Sequence, residues 1–330
     1  MLVLGFESSC DETSVSVSKD GKTVLSNVVL SQIDIHKAFG GVVPEIASRE
    51  HVKGITYVLD EALAHAGVKA EDIDLVAVTQ GPGLIGSLLT GINAAKAFAF
   101  VHQIPIVGVH HIAGHIYANQ IEDDLVFPLI CLVVSGGHTE LLLMKEHFDF
   151  IKLGETQDDA IGEAYDKVAR VLGLGYPGGP MIDQLATQGK SSYPMPKVET
   201  QGRYDFSYSG LKSHVINTLN RLKMKSEPVI KEDLARSFQE AAIEQLLIKS
   251  ELAVKNHQAK MFMVAGGVAA NSYLRQRVFD VFKDVHVSLP KMEYCTDNAA
   301  MMGIAGYYQY QKYGQKAAMS LNGDSRLKLH

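Results

Sequence analysis

Short apolar runs alternate with segments of helical period, and a strand–turn–strand pattern near the start recurs 126 residues later. These two observations predict an α/β protein whose mixed sheets are covered by helices and whose fold is duplicated. The composition agrees, since 46% hydrophobic and 21% charged residues describe an ordinary globular chain and exclude disorder, collagen and coiled coil. At 330 residues the chain exceeds the size of most single cores, so two domains are expected.

In order, Leu2 to Gly5 and Ser14 to Ser18 read as strands flanking a polar turn. Glu50 to Ala66 has helical period. Leu75 to Thr79 is a continuous apolar run and reads as a buried strand, followed by a helix over Gly86 to Val101. The stretch Gly83 to Val101 is the longest membrane candidate, but it contains Asn93, Lys96 and several glycines, so a buried helix of a soluble protein is expected. Ile106 to Val109 and Leu129 to Val134 are further strands, and Asp158 to Leu172, Lys231 to Lys255 and Asn298 to Tyr313 are further helices. The segment from Gln188 to Lys231, with Tyr193-Pro194-Met195-Pro196, reads as a long irregular excursion.

The repeat sets Gly5 to Val17 beside Val133 to Leu143, and a slide of 126 positions places Ser9 on Ser135, Thr13 on Thr139, and Val15 and Val17 on Leu141 and Leu143. Each copy is strand, polar turn, strand, which implies equivalent turns facing one cleft.

Six constellations bear chemistry. His111 and His115 stand at i and i+4, a spacing that on a helix aims two imidazoles at one metal. A metalloprotease would need Glu after the first His, where this chain has Ile112. The turn Ser135-Gly136-Gly137-His138-Thr139 can form an anion-cradling nest of N–H groups, or a plain hairpin. Tyr176-Pro177-Gly178-Gly179-Pro180 precedes a helix opening near Met181, with Asp166 and Asp183 as carboxylates for ribose hydroxyls or as solvated caps. Ala265 to Ser272 is a strand, a Gly-Gly turn and a helix start of the nucleotide-corner kind, in which Asn271 can equally be the cap. Asp297 opens the last helix, where it caps or supplies a third, oxygen ligand to the histidines; two His and one carboxylate suit Fe(II) or Zn. Finally, Asp11 and Glu12 in Glu7-Ser8-Ser9-Cys10-Asp11-Glu12-Thr13 can act as base or orienting groups.

Together these motifs resemble the TsaD family, formerly called glycoprotease-like. The resemblance is carried by Gly5 to Thr13, Gly81-Pro82-Gly83-Leu84, His111-x-x-x-His115, Val134 to His138, Tyr176 to Pro180, Gly266 to Asn271 and Thr296-Asp297-Asn298, in order and spacing over residues 1 to 315. Gly81 to Ser87 is similar to the bacterial branch. The resemblance implies a two-lobed actin/Hsp70/sugar-kinase-like (ASKHA) fold of duplicated RNase H-like subdomains with a cleft between them. The first lobe would take residues 1–125 and 295–330, and the second residues 126–294 with a basic insertion at 188–231.

It further implies a tRNA threonylcarbamoyltransferase that moves the threonylcarbamoyl group from threonylcarbamoyl-AMP to N6 of adenosine 37 in tRNAs reading codons that begin with A. The metal ligands would be His111, His115 and Asp297, holding one divalent ion, Fe(2+) or alternatively Zn(2+). Substrate contacts would be Val134, Ser135, Gly136, Gly137, His138, Asp166, Gly179, Asp183 and Asn271. Apart from the resemblance, the weak nucleophilicity of a purine-conjugated amine calls for a base, for which Asp11 or Glu12 is the candidate. Implied partners are a TsaB paralogue as heterodimer, a TsaE ATPase and a TsaC-type supplier of the adenylate.

Rival readings are a metal-dependent glycoprotein endopeptidase, opposed by Ile112, an ATPase or sugar kinase, whose Mg²⁺ site would be acidic without an imidazole pair, and a non-catalytic scaffold, which has no use for the full set of ligand-type residues. Cys10, Cys131 and Cys295 lack metal-like spacing and an even count, Met1 to Phe6 is followed at once by Glu7, Asp11 and Glu12, and a cytoplasmic protein without membrane attachment is expected.

The net charge of −6 argues against a general polyanion binder. It hides a window from Lys190 to Lys231 that carries eight basic and three acidic residues. Arg203, Lys212, Arg221, Lys223 and Lys225, interleaved with Tyr193, Tyr204, Phe206 and Tyr208, form a candidate tRNA surface with backbone contacts and base stacking. The alternative is a solvated face.

Overall fold

The structure is a computed structural model that describes residues 1–314, 317 and 319–329. The chain divides into two compact units, Met1–Leu125 with Pro290–His330, and Val126–Leu289. Each unit has one five-stranded sheet, and the two sheets have the same strand order.

In the first unit, β1 (Leu2–Glu7), β2 (Glu12–Lys19) and β3 (Thr23–Ser31) form an antiparallel meander. β4 (Leu75–Gly81) and β5 (Ile106–His110) add parallel strands beyond β1, giving the order β3-β2-β1-β4-β5. β4 is apolar almost throughout because a central parallel strand is covered on both faces. Between β3 and β4 come a short α1 (Ile33–Lys37) and α2 (Pro44–Ala66), which starts on a proline and ends at Gly67 with φ 65°. α3 (Ile85–His102) links β4 to β5, and α4 (His111–Tyr117) follows β5 directly. Leu4, Phe6, Val15, Val17, Val76 and Val78 pack with Ile55, Val58, Leu88 and Ile92 of α2 and α3 into one core.

α10 (Ala299–Tyr313) packs against β1, β2 and β4 at backbone distance. A Cβ on Gly5 would stand 2.4 Å from the Ala299 carbonyl oxygen, and one on Gly306 would stand 2.4 Å from the Ala77 Cβ. Glycine at these places lets the helix backbone lie directly on the strands.

In the second unit, β6 (Leu129–Val134), β7 (Thr139–Met144) and β8 (Phe150–Glu155) form the meander, and β9 (Met261–Ala265) and β10 (His286–Ser288) run parallel beyond β6. The order β8-β7-β6-β9-β10 repeats the first unit strand for strand, so the hairpins of the sequence repeat occupy equivalent places in the two sheets. The helices are α5 (Ile161–Val171), α6 (Gly178–Ala186), α7 (Ser209–Met224), α8 (Lys231–His257) and α9 (Ser272–Val281).

Segment 188–231 differs from the irregular excursion expected, because its second half is α7, which buries Leu211, Val215, Leu219 and Leu222. Phe206 and Tyr208 are fully buried, so they belong to the core and cannot stack on bases. The composition of this stretch is polar enough to mask a helix whose inward face is carried by four aliphatic side chains.

The start of α7 is pinned by Asp158. Its Oδ1 accepts from the backbone N–H groups of Tyr208 (2.7 Å) and Ser209 (3.2 Å), and Oδ2 accepts from the hydroxyls of Ser207 (2.5 Å) and Ser209 (2.7 Å). Burial opposes the charge, but these four donors outweigh it and hold the carboxyl below its ordinary value. Asp158→Ala is therefore expected to destabilise the protein by about 1–2 kcal/mol at pH 7, the range of a lost N-terminal helix cap. With a depressed folded pKa, this contribution is complete above the unfolded value of about 3.9 and is lost as pH falls through the folded value. Urea melts of parent and variant should thus converge in acid. An equal gap at pH 7 and below pH 3 would remove the carboxylate from this account.

Candidate metal centre and substrate-binding turns

In the first unit, Glu7, His111, His115 and Asp297 stand at the end of β1, along α4 after β5, and just before α10. β5 leads without a loop into α4, whose first turn carries His111 and whose second carries His115. Their rings lie edge to face with centroids 4.7 Å apart. Asp297 arrives from the other end of the chain, just before α10.

That helix is not capped by Asp297. Its cap is Asn298, whose Oδ1 accepts from the Met301 N–H at 3.1 Å, while the N–H groups of Ala299 and Ala300 donate to Ser14 Oγ and Asn27 Oδ1. The first turn of α10 is thereby satisfied without Asp297. The Asp297 carboxylate instead faces the histidines, with Oδ1 3.1 Å from His115 Nε2 and 3.6 Å from His111 Nε2.

One ligand atom from each of the three residues lies within 4.8 Å of the others, and the three fit a single transition metal held by two imidazoles and a carboxylate. Burial opposes a charge on His111, yet Asp297 and then Glu7 outweigh it and push its pKa up to about 9. Burial likewise opposes ionisation of Asp297, but His111 and His115 hold its carboxyl down to about 2.

Around the triad, Glu7 is wholly buried and its Oε2 lies 3.1 Å from His111 Nδ1, while Ser9 Oγ lies 3.2 Å from the same nitrogen. The next residues form the turn Cys10-Asp11-Glu12. Burial, with Asp297 and Asp11 adding repulsion, raises the Glu12 carboxyl well above its ordinary range, and Ser31 Oγ donates to its Oε1. Burial and the same two carboxylates raise the Cys10 thiol as well, so it is no thiolate nucleophile. His51 of α2 ties the turn from behind, with Nδ1 2.7 Å from Thr13 Oγ1 and Nε2 3.0 Å from the Cys10 carbonyl oxygen.

The nine candidate substrate contacts all belong to the second unit. Val134 ends β6, and the Val134–His138 turn is closed by the Ser135 N–H donating to the His138 carbonyl and the His138 N–H donating to Ser135 Oγ. Gly136 and Gly137 are exposed, and a Cβ on either would meet nothing within 4 Å, so the turn leaves open space on its side-chain face. The turn after β9 comes to the same sheet end: Gly266, at φ 94°, lies so close that a Cβ there would be 2.5 Å from the Val134 carbonyl oxygen. Asp166 on α5 accepts from the Gly178 N–H at 2.7 Å and also from that of Gly179, although burial raises its pKa overall. Asp183 on α6 accepts from the N–H and hydroxyl of Ser272. The neighbouring Asn271 caps α9 through the Leu274 N–H and donates to Gln239. The ends of parallel strands β6 and β9 are where open α/β sheets receive ligands.

The basic residues are dispersed. Arg221, Lys223 and Lys225 are exposed at the end of α7, and Arg203 is exposed in the loop before it. Lys212 is engaged by Asp159 at 2.6 Å. Glu7 and Asn298 are the supporting residues that motif reading did not single out. Their signals were a carboxylate inside an apolar strand and a second cap-type side chain next to Asp297.

Duplicated β-meander units define a fold of the actin/Hsp70/sugar-kinase type, and within it two histidines and a carboxylate are close enough together to hold a metal ion. Similar solved structures include full-length HypF in a phosphate- and nucleotide-bound form (TM-score 0.62, 12% identity, 94% of this chain and 46% of that one). The chain thus spans about half the length of that protein. The activator of 2-hydroxyisocaproyl-CoA dehydratase from Clostridium difficile is also similar (TM-score 0.51, 13% identity, 96% and 99% covered). At these identities the likeness concerns the fold alone.

The family model for TsaD, tRNA N6-adenosine threonylcarbamoyltransferase, matches residues 23–304. Proteins of that name from Staphylococcus aureus strains JH9 and bovine RF122 / ET3-1 are 56% and 57% identical over 332 residues, covering all of this chain and 97% of theirs. The chain belongs to the TsaD family of tRNA N6-adenosine threonylcarbamoyltransferases.

Proposed function

We propose that this transferase moves the threonylcarbamoyl group of threonylcarbamoyl-AMP to N6 of adenosine 37 in tRNAs reading codons that begin with A. The observation that carries the reading is the convergence of His111, His115 and Asp297, in a chain of this family, on one point. A bound divalent ion, Fe(2+) in preference to Zn(2+), would supply Lewis-acid polarisation of the acyl donor.

The rest falls to side chains and backbone. The N–H groups of Gly136 and Gly137, with Val134, Ser135 and His138 shaping the turn, take polar groups of the donor. Asp166, Gly179, Asp183 and Asn271 take its nucleoside hydroxyls. Asp183 uses one lone pair on each oxygen for Ser272, so it retains acceptor capacity, and Asn271 retains one N–H. The N6 amine attacks the acyl carbon, the bond from that carbon to the AMP phosphate oxygen breaks, and Asp11 or Glu12 accepts the amine proton. Since the anhydride is already activated, orientation and charge stabilisation are the main demands.

The tRNA surface would be Arg203, Lys212, Arg221, Lys223 and Lys225. Reversing the charge of Arg221 and Lys223 together is expected to weaken tRNA binding and to flatten log Kd against log salt by about one unit per lost phosphate contact. Unchanged affinity and slope in filter binding would place the tRNA elsewhere. A TsaB paralogue as heterodimer, a TsaE ATPase and a TsaC-type adenylate source would complete the system, in the cytoplasm. No helix among the described residues is long and apolar enough to cross a membrane.

The test is mass spectrometry of nucleosides from tRNA incubated with this chain, its partner proteins and the acyl adenylate. The modified adenosine is expected only when all are present. Unmodified adenosine beside an intact donor would overturn the reading.

A further inference from the structure

We propose that Glu7 is a positioning residue for the metal centre: its carboxylate holds the Nδ1 proton of His111, so that Nε2 presents its lone pair to the ion. The inference rests on the reading of His111, His115 and Asp297 as ligands.

Glu7 ends β1 with 0% exposure, and three groups surround its carboxylate. The Ser9 N–H donates to Oε1 at 2.5 Å, the Thr79 hydroxyl donates to Oε2 at 2.6 Å, and His111 Nδ1 lies 3.1 Å from Oε2. A carboxylate can only accept, so the imidazole must place its proton on Nδ1 to use this contact. Nε2 is then the nitrogen left to give up its proton to a metal ion, and it is the one directed at Asp297. Metal-ligating histidines commonly hand their second N–H to a carboxylate, which fixes tautomer and ring orientation. The device serves one imidazole only, because His115 Nδ1 has no hydrogen-bond partner among the described residues.

The isosteric change Glu7→Gln turns the argument round. The Ser9 N–H cannot accept, so the glutamine must offer its carbonyl oxygen there and its NH₂ toward Thr79 and His111. The Thr79 hydroxyl can rotate to accept. His111 Nδ1 then faces an N–H in place of a carboxylate oxygen, and of its two acceptors only the neutral Ser9 hydroxyl, at 3.2 Å, remains to hold the Nδ1 proton.

Zinc serves as the probe, on the full chain. In ¹⁵N-histidine-labelled protein loaded with Zn²⁺, long-range ¹⁵N–¹H correlation is expected to show His111 protonated on Nδ1 and metal-bound through Nε2. Glu7→Gln should keep its far-UV circular dichroism and bind zinc 10–100-fold more weakly in competition with a chromophoric chelator, the range for lost supporting partners of ligands. Thr79→Val, which leaves both carboxylate oxygens in place, should stay close to the parent. Parent-like zinc affinity in folded Glu7→Gln, or zinc on His111 Nδ1, would overturn this inference alone. If Glu7→Gln does not fold, the nitrogen assignment in the unaltered chain decides. Zinc that perturbs neither His111 nor His115 would overturn the ligand reading, and this inference with it.

Discussion

Replacing His111 and His115 together with alanine is expected to lower threonylcarbamoyl transfer by about 100-fold or more, with metal content falling in parallel. Lewis-acid stabilisation is worth several kcal/mol, and each 1.36 kcal/mol is a factor of ten in rate. The single variants should differ in a way that only the local geometry explains. His115→Ala removes a partner of Asp297, a side chain that keeps 19% exposure and can recover water. His111→Ala strips one of three partners from Glu7, which has no exposure at all. The uncompensated buried carboxylate should add roughly 1–3 kcal/mol of destabilisation to His111→Ala. Metal analysis, single-turnover transfer and urea melts on the three variants check this. Transfer at the parental rate without metal would remove the triad from the chemistry.

Gly5→Ala is the second large effect, and it links the fold to the centre. The added methyl would stand 2.4 Å from the Ala299 carbonyl oxygen and 2.9 Å from the Gly303 nitrogen. Both are backbone atoms of α10, so no side chain can rotate away and the helix must lift from β1. Overpacking costs about 1–3 kcal/mol and more where backbone must shift, so a value near 3 kcal/mol is expected. For a unit of this size that corresponds to a fall in Tm of about 6–12 °C. Because α10 begins two residues after Asp297, the displacement should also draw that carboxylate from His115 and weaken zinc binding. Gly210→Ala is the control: nothing lies within 4 Å of its Cβ site on α7, and it should be neutral or mildly stabilising. A Gly5→Ala protein with parental Tm and zinc affinity would show that α10 tolerates the shift.

Much of the fold was legible because central strands are apolar without interruption. Leu75 to Thr79 and Leu129 to Val134 needed no partner information to be read as strands, and the repeat of Ser9/Thr13 in Ser135/Thr139 anticipated two sheets with the same strand order. The family was legible from motif order. α7 was not, because its sequence is dominated by exposed cations and its inward face shows only once Leu211, Val215, Leu219 and Leu222 have something to pack against. Phe206 and Tyr208 misled for the same reason: an aromatic in a basic stretch looks available for bases until the core closes over it.

The site divides along the same line. Local spacing alone placed His111 and His115 on one helical face, because i and i+4 are neighbours on any α-helix. The negative total charge, likewise, was always compatible with basic residues concentrated in one segment. Whether Asp297 caps a helix or turns toward the histidines could not be decided locally, since a carboxylate at a helix start satisfies either role. It was decided by Ser14 and Asn27 on the neighbouring strands and by Asn298, which take over the first-turn N–H groups, and by the glycine contacts that seat α10 on β1. Those contacts bring together side chains 182 residues apart, and short-range periodicity has no access to an approach set by strand order and backbone-to-backbone packing.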